Sequence, residues 1–228
     1  MWSKERVSSR RSLWGLLALC GALGCSRGRA IPPPLEIEPQ YLSFPDGSRE
    51  RAVRLARRSV GRTRVTFNGK PYPSDCTGFV RGLFDQLGAN LMSEGQQGDN
   101  GVTAIYRFAE RHGRIFHGGR PLPGDLVFFR DTYDQNRDGR LNDGLTHVGL
   151  VETVDRDGTV TVIHRVTRGV VRYRMNLALR DAKLHPKTDQ RVNDVLRRAG
   201  SGEDKALTAQ LFSGYATLLP VGRALATR

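Results

Sequence analysis

From Phe79 onward the apolar positions Phe79, Val80, Leu83, Phe84 and Leu87 recur at the spacing of one helix face. Pro71 and Pro73 break whatever precedes them, and Ser74 or Asp75 can cap the helix start. Two other stretches share this periodicity. Glu50 to Ser59 sets Ala52, Val53, Leu55 and Ala56 among Arg49, Arg51, Arg54, Arg57 and Arg58, a basic face expected to be solvated, and Gly61 ends it. Gln86 to Asn100 is a polar loop, after which Val102 to His112 forms another short helix around Ile105 and Phe108. The pattern then changes. Leu126 to Phe129 is apolar throughout, as a strand covered on both faces would be. His147 to Val154 alternates, Asp157-Gly158 is a hairpin turn, and Thr159 to His164 returns antiparallel. Val170 to Tyr173 reads as a further strand and Asp189 to Arg198 as a short helix, and Leu207 to Leu219 is apolar enough to pack back on the domain.

The first helical turn of the Phe79 segment holds Cys76. Unpaired backbone N–H groups and the positive end of the helix dipole favour thiolate there, and the same N–H groups can hold an oxyanion. A free cysteine is most often a small buried hydrophobe. Against that stand the polar flank Asp75-Cys76-Thr77-Gly78 and the export signal described below, which puts a lone thiol in an oxidising compartment.

Asp75-Cys76-Thr77-Gly78-Phe79-Val80 resembles the D-C-[ST]-G-[FL]-[VI] motif of the NlpC/P60 cysteine peptidases. Pro123-Gly124-Asp125-Leu126-Val127-Phe128-Phe129, His147-Val148-Gly149-Leu150-Val151 and Val162-Ile163-His164 resemble the family's later motifs, in the same order. The resemblance runs roughly from Arg49 to Arg174. It implies a papain-like α+β fold in the CHAP-related superfamily: N-terminal helices carrying the cysteine, packed on a central antiparallel β-sheet carrying the histidines. The segment from Gly61 to Gly69 departs from the family pattern. Arg64 falls near the place of a tyrosine that shapes the site, and Tyr72 is the candidate to supply that hydroxyl from another position. Tyr72 and Asp75 are the expected substrate-positioning residues.

A cysteine nucleophile needs a base within hydrogen-bond reach, and the base needs a third group to fix its tautomer. The antiparallel hairpin puts His147 and His164 toward one end, away from the turn. Cys76, His147 and His164 thus supply nucleophile, base and orienting group, and the resemblance assigns them the same roles. A lone histidine on a strand is more often structural. His112, His117 and His185 lack comparable company, and no His/Cys pair shows zinc spacing.

Asp134, Asn136 and Asp138 place side-chain oxygens at alternate positions, followed by Gly139 where a calcium loop turns sharply. The Arg140 carbonyl and Asp143 complete the candidate ligand set. The run resembles dockerin and thrombospondin-type calcium loops, although Leu145 stands where an EF-hand has glutamate. The bland alternative is a turn-rich hairpin tip. No cofactor is required for the chemistry; a structural calcium bracing the approach to His147 is the candidate metal.

Residues 1–25 read as a targeting segment. Lys4 to Arg11 precede an apolar run from Leu13 to Leu23, too short to span a bilayer but suited to a signal-peptide core. Ala22-Leu23-Gly24-Cys25 resembles a lipobox, making Cys25 the lipidation candidate; cleavage near Ala30 and an uncleaved anchor are the alternatives. Ser9-Arg10-Arg11-Ser12-Leu13 resembles the twin-arginine export pattern, so export runs by Sec or Tat. Residues 26–48, with Pro32, Pro33 and Pro34, read as a tether, and 49–228 as the catalytic domain, with a motif core at 49–174 and a C-terminal extension at 175–228.

A chain of 228 residues that is 38% hydrophobic supports one packed core. Its net charge of +13 suggests an anionic partner, wall polymer or lipid headgroups, and the absence of an aromatic-basic recognition motif argues against nucleic acid. The expected protein is a lipid-anchored enzyme of the cell envelope. By resemblance it is a cysteine peptidase that cleaves amide bonds in peptidoglycan stem peptides, of the γ-D-glutamyl-diamino acid endopeptidase type. The alternatives are a CHAP-type amidase or endopeptidase, which would normally carry an acidic residue or asparagine in place of His164, an acyltransferase of the same superfamily, and a non-catalytic envelope-binding lipoprotein.

Overall fold

The computed structural model describes residues 43–197 and 206–220. The expected signal segment, the lipidation candidate Cys25 and the tether up to residue 42 lie outside the described residues. Among the described residues no helix is long and apolar enough to cross a membrane.

The elements follow in chain order as α1 (Ser48–Ser59), β1 (Thr66–Phe67), β2 (Lys70–Pro71), α2 (Cys76–Asp85), α3 (Gly101–His112), β3 (Arg114–Phe116), β4 (Leu126–Arg130), β5 (Leu145–Val154), β6 (Val160–Val166), β7 (Gly169–Met175), β8 (Val195–Arg197), β9 (Ala206–Leu207) and β10 (Phe212–Thr217). A single 3₁₀ turn at Leu177–Leu179 follows β7. Six strands form one antiparallel sheet in the order β3-β10-β4-β5-β6-β7. The architecture is the expected α+β one, with the cysteine on a helix and both histidines on adjacent antiparallel strands.

The sheet is covered on both faces. Leu126, Phe128, Val148, Leu150 and Ile163 join one apolar cluster with Ala52, Phe79, Leu83, Ile105 and Phe108 of the helices. Val127, Phe129, Val151, Val160 and Val162 join a second cluster with Ala206, Ala209 and Leu211. Such double burial is why β4 lacks alternation. The C-terminal extension therefore supplies the second cover, and β10 enters the sheet itself between β3 and β4.

Of the stretch Asp189 to Arg198 expected to be a helix, the described part, residues 189–197, is not helical. Asn193 is fully buried, and its side chain donates to the Leu179 and Ala182 carbonyls and accepts from the Asn176 N–H, while Val195–Arg197 pairs with β9. Side-chain bonds to distant backbone hold this stretch extended, overriding a weak local helical preference. The solvated reading of the α1 arginines also fails at Arg49, which is 3% exposed and ion-paired to Asp125 at 2.7 Å. Arg49 further donates to the carbonyls of Pro123, Leu219 and Pro220, while Asp125 accepts from Thr217 Oγ1 and the Leu122 N–H. The Pro123-Gly124-Asp125 motif is thus a clamp that fastens α1 and the end of β10 to the start of β4. At the other margin Phe44, expected in the tether, packs edge-on against Phe84.

Candidate active site

Asp75 is the N-cap of α2, with extended backbone and its Oδ1 accepting from the Gly78 N–H at 2.7 Å and from Thr77 Oγ1 at 2.8 Å. Gly78 is needed for close approach, since a Cβ there would lie 2.0 Å from the Pro73 carbonyl oxygen. These contacts fix Cys76 as the first residue of the helix, where its own N–H and that of Thr77 face away from any intrahelical acceptor. Phe79, Val80, Leu83 and Phe84, all fully buried, hold α2 against the sheet as their spacing predicted.

His147 lies on β5 opposite Phe129 of β4. Its Nε2 is 2.7 Å from Nδ1 of His164 on β6, with the rings nearly perpendicular. His164 is fully buried and rests edge-on against Tyr173 of β7. Gly149 makes room for it: a Cβ at that position would lie 3.1 Å from His164 Cβ and 2.6 Å from Val162 Cγ1. With Nε2 of His147 engaged, Nδ1 is the ring nitrogen left for proton transfer. When Nδ1 is bare, Nε2–H donates to His164, whose own proton then sits on Nε2, a buried atom with no hydrogen-bond partner.

Cys76 and His147 line one cleft of about 580 Å³ together with Asp75, Tyr133, Thr146 and Arg165. Both reacting groups are mostly covered, and burial dominates their protonation. It pushes the Cys76 thiol up to about 11, against the Val148, Thr77 and Cys76 backbone N–H groups, which pull it down. It pulls His147 down to about 4, with the Asp75 charge opposing, and lowers His164 as well. The expected thiolate is therefore not the resting form. Desolvation outweighs the helix N-terminus, and the pair rests as neutral thiol and neutral imidazole.

Tyr72 does not reach the cleft. Its hydroxyl donates to Asp85 Oδ2 at 2.8 Å, at the end of α2 away from Cys76. The tyrosine that lines the cleft is Tyr133, on the loop between β4 and β5. Asp75 does line it, with Oδ1 committed to the α2 cap.

The carboxylates of the candidate calcium loop accept backbone N–H groups of the loop itself. Asp134 accepts from the N–H groups of Arg137, Asp138 and Gly139; Asp138 accepts from Arg140 N–H, and Asp143 from Gln135 and Asn136 N–H. Among the described residues no group of three or more Asp, Glu, His or Cys side chains is placed to hold a metal ion. The loop caps its own amides. Its neck is closed by the Asp131–Gly144 hydrogen bond and tied to β5 by Thr132–Thr146 hydrogen bonds, beside Tyr133 of the cleft.

Sequence reasoning missed Tyr133, Arg165 and Leu196 of the cleft. A charged residue inside the apolar strand Val160–Val166 was a readable signal for Arg165; nothing local marked Leu196, which arrives with the C-terminal extension.

The sequence model of the CHAP domain family matches residues 65–165, a span that starts before β1 and contains Cys76, His147 and His164. Over that span the chain is similar to the CHAP domain family. CHAP domains are cysteine- and histidine-dependent amidohydrolases and peptidases. Within the matched span His164 stands where a CHAP domain was expected to show an acidic residue or asparagine. No curated protein matches the chain. A solved structure described as the crystal structure of Ly7917 with the hydrolyzing product of MDP is similar over 75% of this chain and 62% of that chain, at 14% identity and a TM-score of 0.45.

Proposed function

We propose that the protein is a cell-wall hydrolase that cleaves amide bonds in peptidoglycan stem peptides, between γ-D-glutamyl and the diamino acid. The observation that carries the reading is the Cys76–His147 pair on one cleft, with His147 bonded to His164 at 2.7 Å. Because both groups rest neutral, attack and proton transfer are coupled: the S–C bond forms at the scissile carbonyl as the thiol proton passes to His147 Nδ1. The first-turn N–H groups of α2 stabilise the oxyanion. The imidazolium is held through Nε2–H by His164 and favoured by the nearby Asp75 charge. His147 then protonates the leaving amine, freeing the C-terminal fragment, and takes a proton from water as the thioester is hydrolysed and the thiol restored.

Incubating stem-peptide muropeptides with wild type and Cys76→Ala, followed by mass spectrometry, tests the reading. New fragments from wild type alone support it, and their masses name the bond; none from a folded protein rejects it. The CHAP match favours a second reading, an amidase or endopeptidase cutting another amide of the same polymer, which the fragment masses separate from the first. Export and anchoring through Cys25 belong to the same proposal. Cys25→Ser is expected to move the protein from the membrane fraction to the soluble fraction, and an unchanged distribution rejects the anchor.

A further inference from the structure

Among the described residues two arginines are buried, and they are treated differently. Arg49 is saturated by Asp125 and three carbonyls. Arg165, 8% exposed and next in sequence to His164, makes one hydrogen bond, Nη2 to the Thr63 carbonyl at 2.9 Å. Its Nε is buried with no partner, and no carboxylate lies within ion-pair distance among the described residues. Asp75, the carboxylate that shares the cleft, accepts from the Gly78 N–H and the Thr77 hydroxyl instead. A covered cation without a counter-charge is costly, and the planar guanidinium fork is matched to a carboxylate. Since Arg165 lines the same cleft as Cys76 and His147, its counter-ion is available from substrate.

We propose that Arg165 receives a free carboxylate located beside the scissile amide, making the enzyme selective for acidic γ-D-glutamyl stems over their α-carboxamide (isoglutaminyl) counterparts. The inference rests on the hydrolase reading above and deepens it: in a γ-linked glutamyl residue the α-carboxylate is free and close to the bond that is cut. Arg165 is then a specificity residue, and the covalent steps remain with Cys76 and His147.

The test separates recognition from turnover. Full-length Cys76→Ala protein is titrated calorimetrically with L-alanyl-γ-D-glutamyl-L-lysine and with its α-carboxamide analogue. The carboxylate peptide is expected to bind roughly 10- to 100-fold tighter. Adding Arg165→Gln should bring both peptides to the weaker affinity, and Arg165→Lys should keep part of the preference. Equal or absent binding of the two peptides with Arg165 intact overturns the proposal, as does a preference that survives in Arg165→Gln with a native melting curve. The peptide comparison on intact Arg165 decides the matter even where Arg165→Gln fails to fold. Wild-type turnover of the same peptides reads the hydrolase proposal separately. Selective binding without cleavage rejects the bond assignment and keeps the Arg165 role; cleavage without selectivity keeps the hydrolase and removes that role.

Discussion

His147 Nε2 and His164 Nδ1 meet at 2.7 Å within the sheet, with His164 fully buried and His147 lining the cleft, so the proposed base is held in one orientation by the proposed orienting group. The contact leaves Nδ1 as the nitrogen of His147 for the proposed proton transfer. Replacing His164 by alanine is expected to lower kcat on the order of 10²- to 10⁴-fold, and asparagine, which keeps an acceptor oxygen, should recover part of the loss. Steady-state kinetics on a cleaved muropeptide checks this, and undiminished kcat in the alanine variant would remove His164 from the mechanism.

The neutral resting pair makes a prediction about thiol reactivity. With the Cys76 thiol held up at about 11, alkylation by iodoacetamide, followed at the Cys76 peptide by mass spectrometry, should rise about tenfold per pH unit between roughly pH 6 and 9. A rate that is flat above about pH 5 would show a preformed thiolate–imidazolium pair and overturn the assignment.

Acid should weaken the fold through the same histidine. His147 is pulled from 6.5 to about 4 on folding, so the unfolded chain binds its proton first as pH falls. The stability it contributes is complete above pH 6.5 and is lost as pH falls toward 4, on the order of 3 kcal/mol, with His164 acting in the same direction. Urea unfolding at pH 7 and pH 4 should show the fall, and a His147→Gln variant should show a shallower one.

Asp125→Asn leaves Arg49 buried without its counter-charge. The expected cost is about 3–5 kcal/mol, seen as a lower denaturation midpoint, with Cys76 alkylation at 25 °C unchanged in the protein that remains folded. A loss below about 1 kcal/mol would mean that the carbonyl contacts alone suffice for Arg49.

The acidic loop can be tested with and without ion. Because its carboxylates already accept loop N–H groups, millimolar calcium is expected to leave Tm unchanged, while Asp134→Ala, which removes three such bonds, should reduce kcat by displacing Tyr133. A rise of several degrees with calcium, abolished by Asp134→Ala, would show instead that the loop reorganises around the ion.

The cysteine helix and the histidine hairpin were legible in the sequence because their causes are local. Asp75 caps through the amide three residues ahead, the α2 apolar face follows from helical spacing, and the turn at Asp157-Gly158 sets the antiparallel return that brings His147 near His164. What the sequence could not decide depends on residues far apart in the chain. Tyr72 rather than Tyr133 was expected in the cleft, because only the folded chain shows which hydroxyl is taken by Asp85. Arg49 was expected in solvent until β10 and the Pro123 turn closed over it. The thiol was expected ionised, since a helix N-terminus is visible in the sequence and the desolvation that outweighs it is not. Periodicity and capping are fixed within one or two turns of chain. Burial, and with it charge state, pairing and the lining of the cleft, is a property of every element packed around a residue at once.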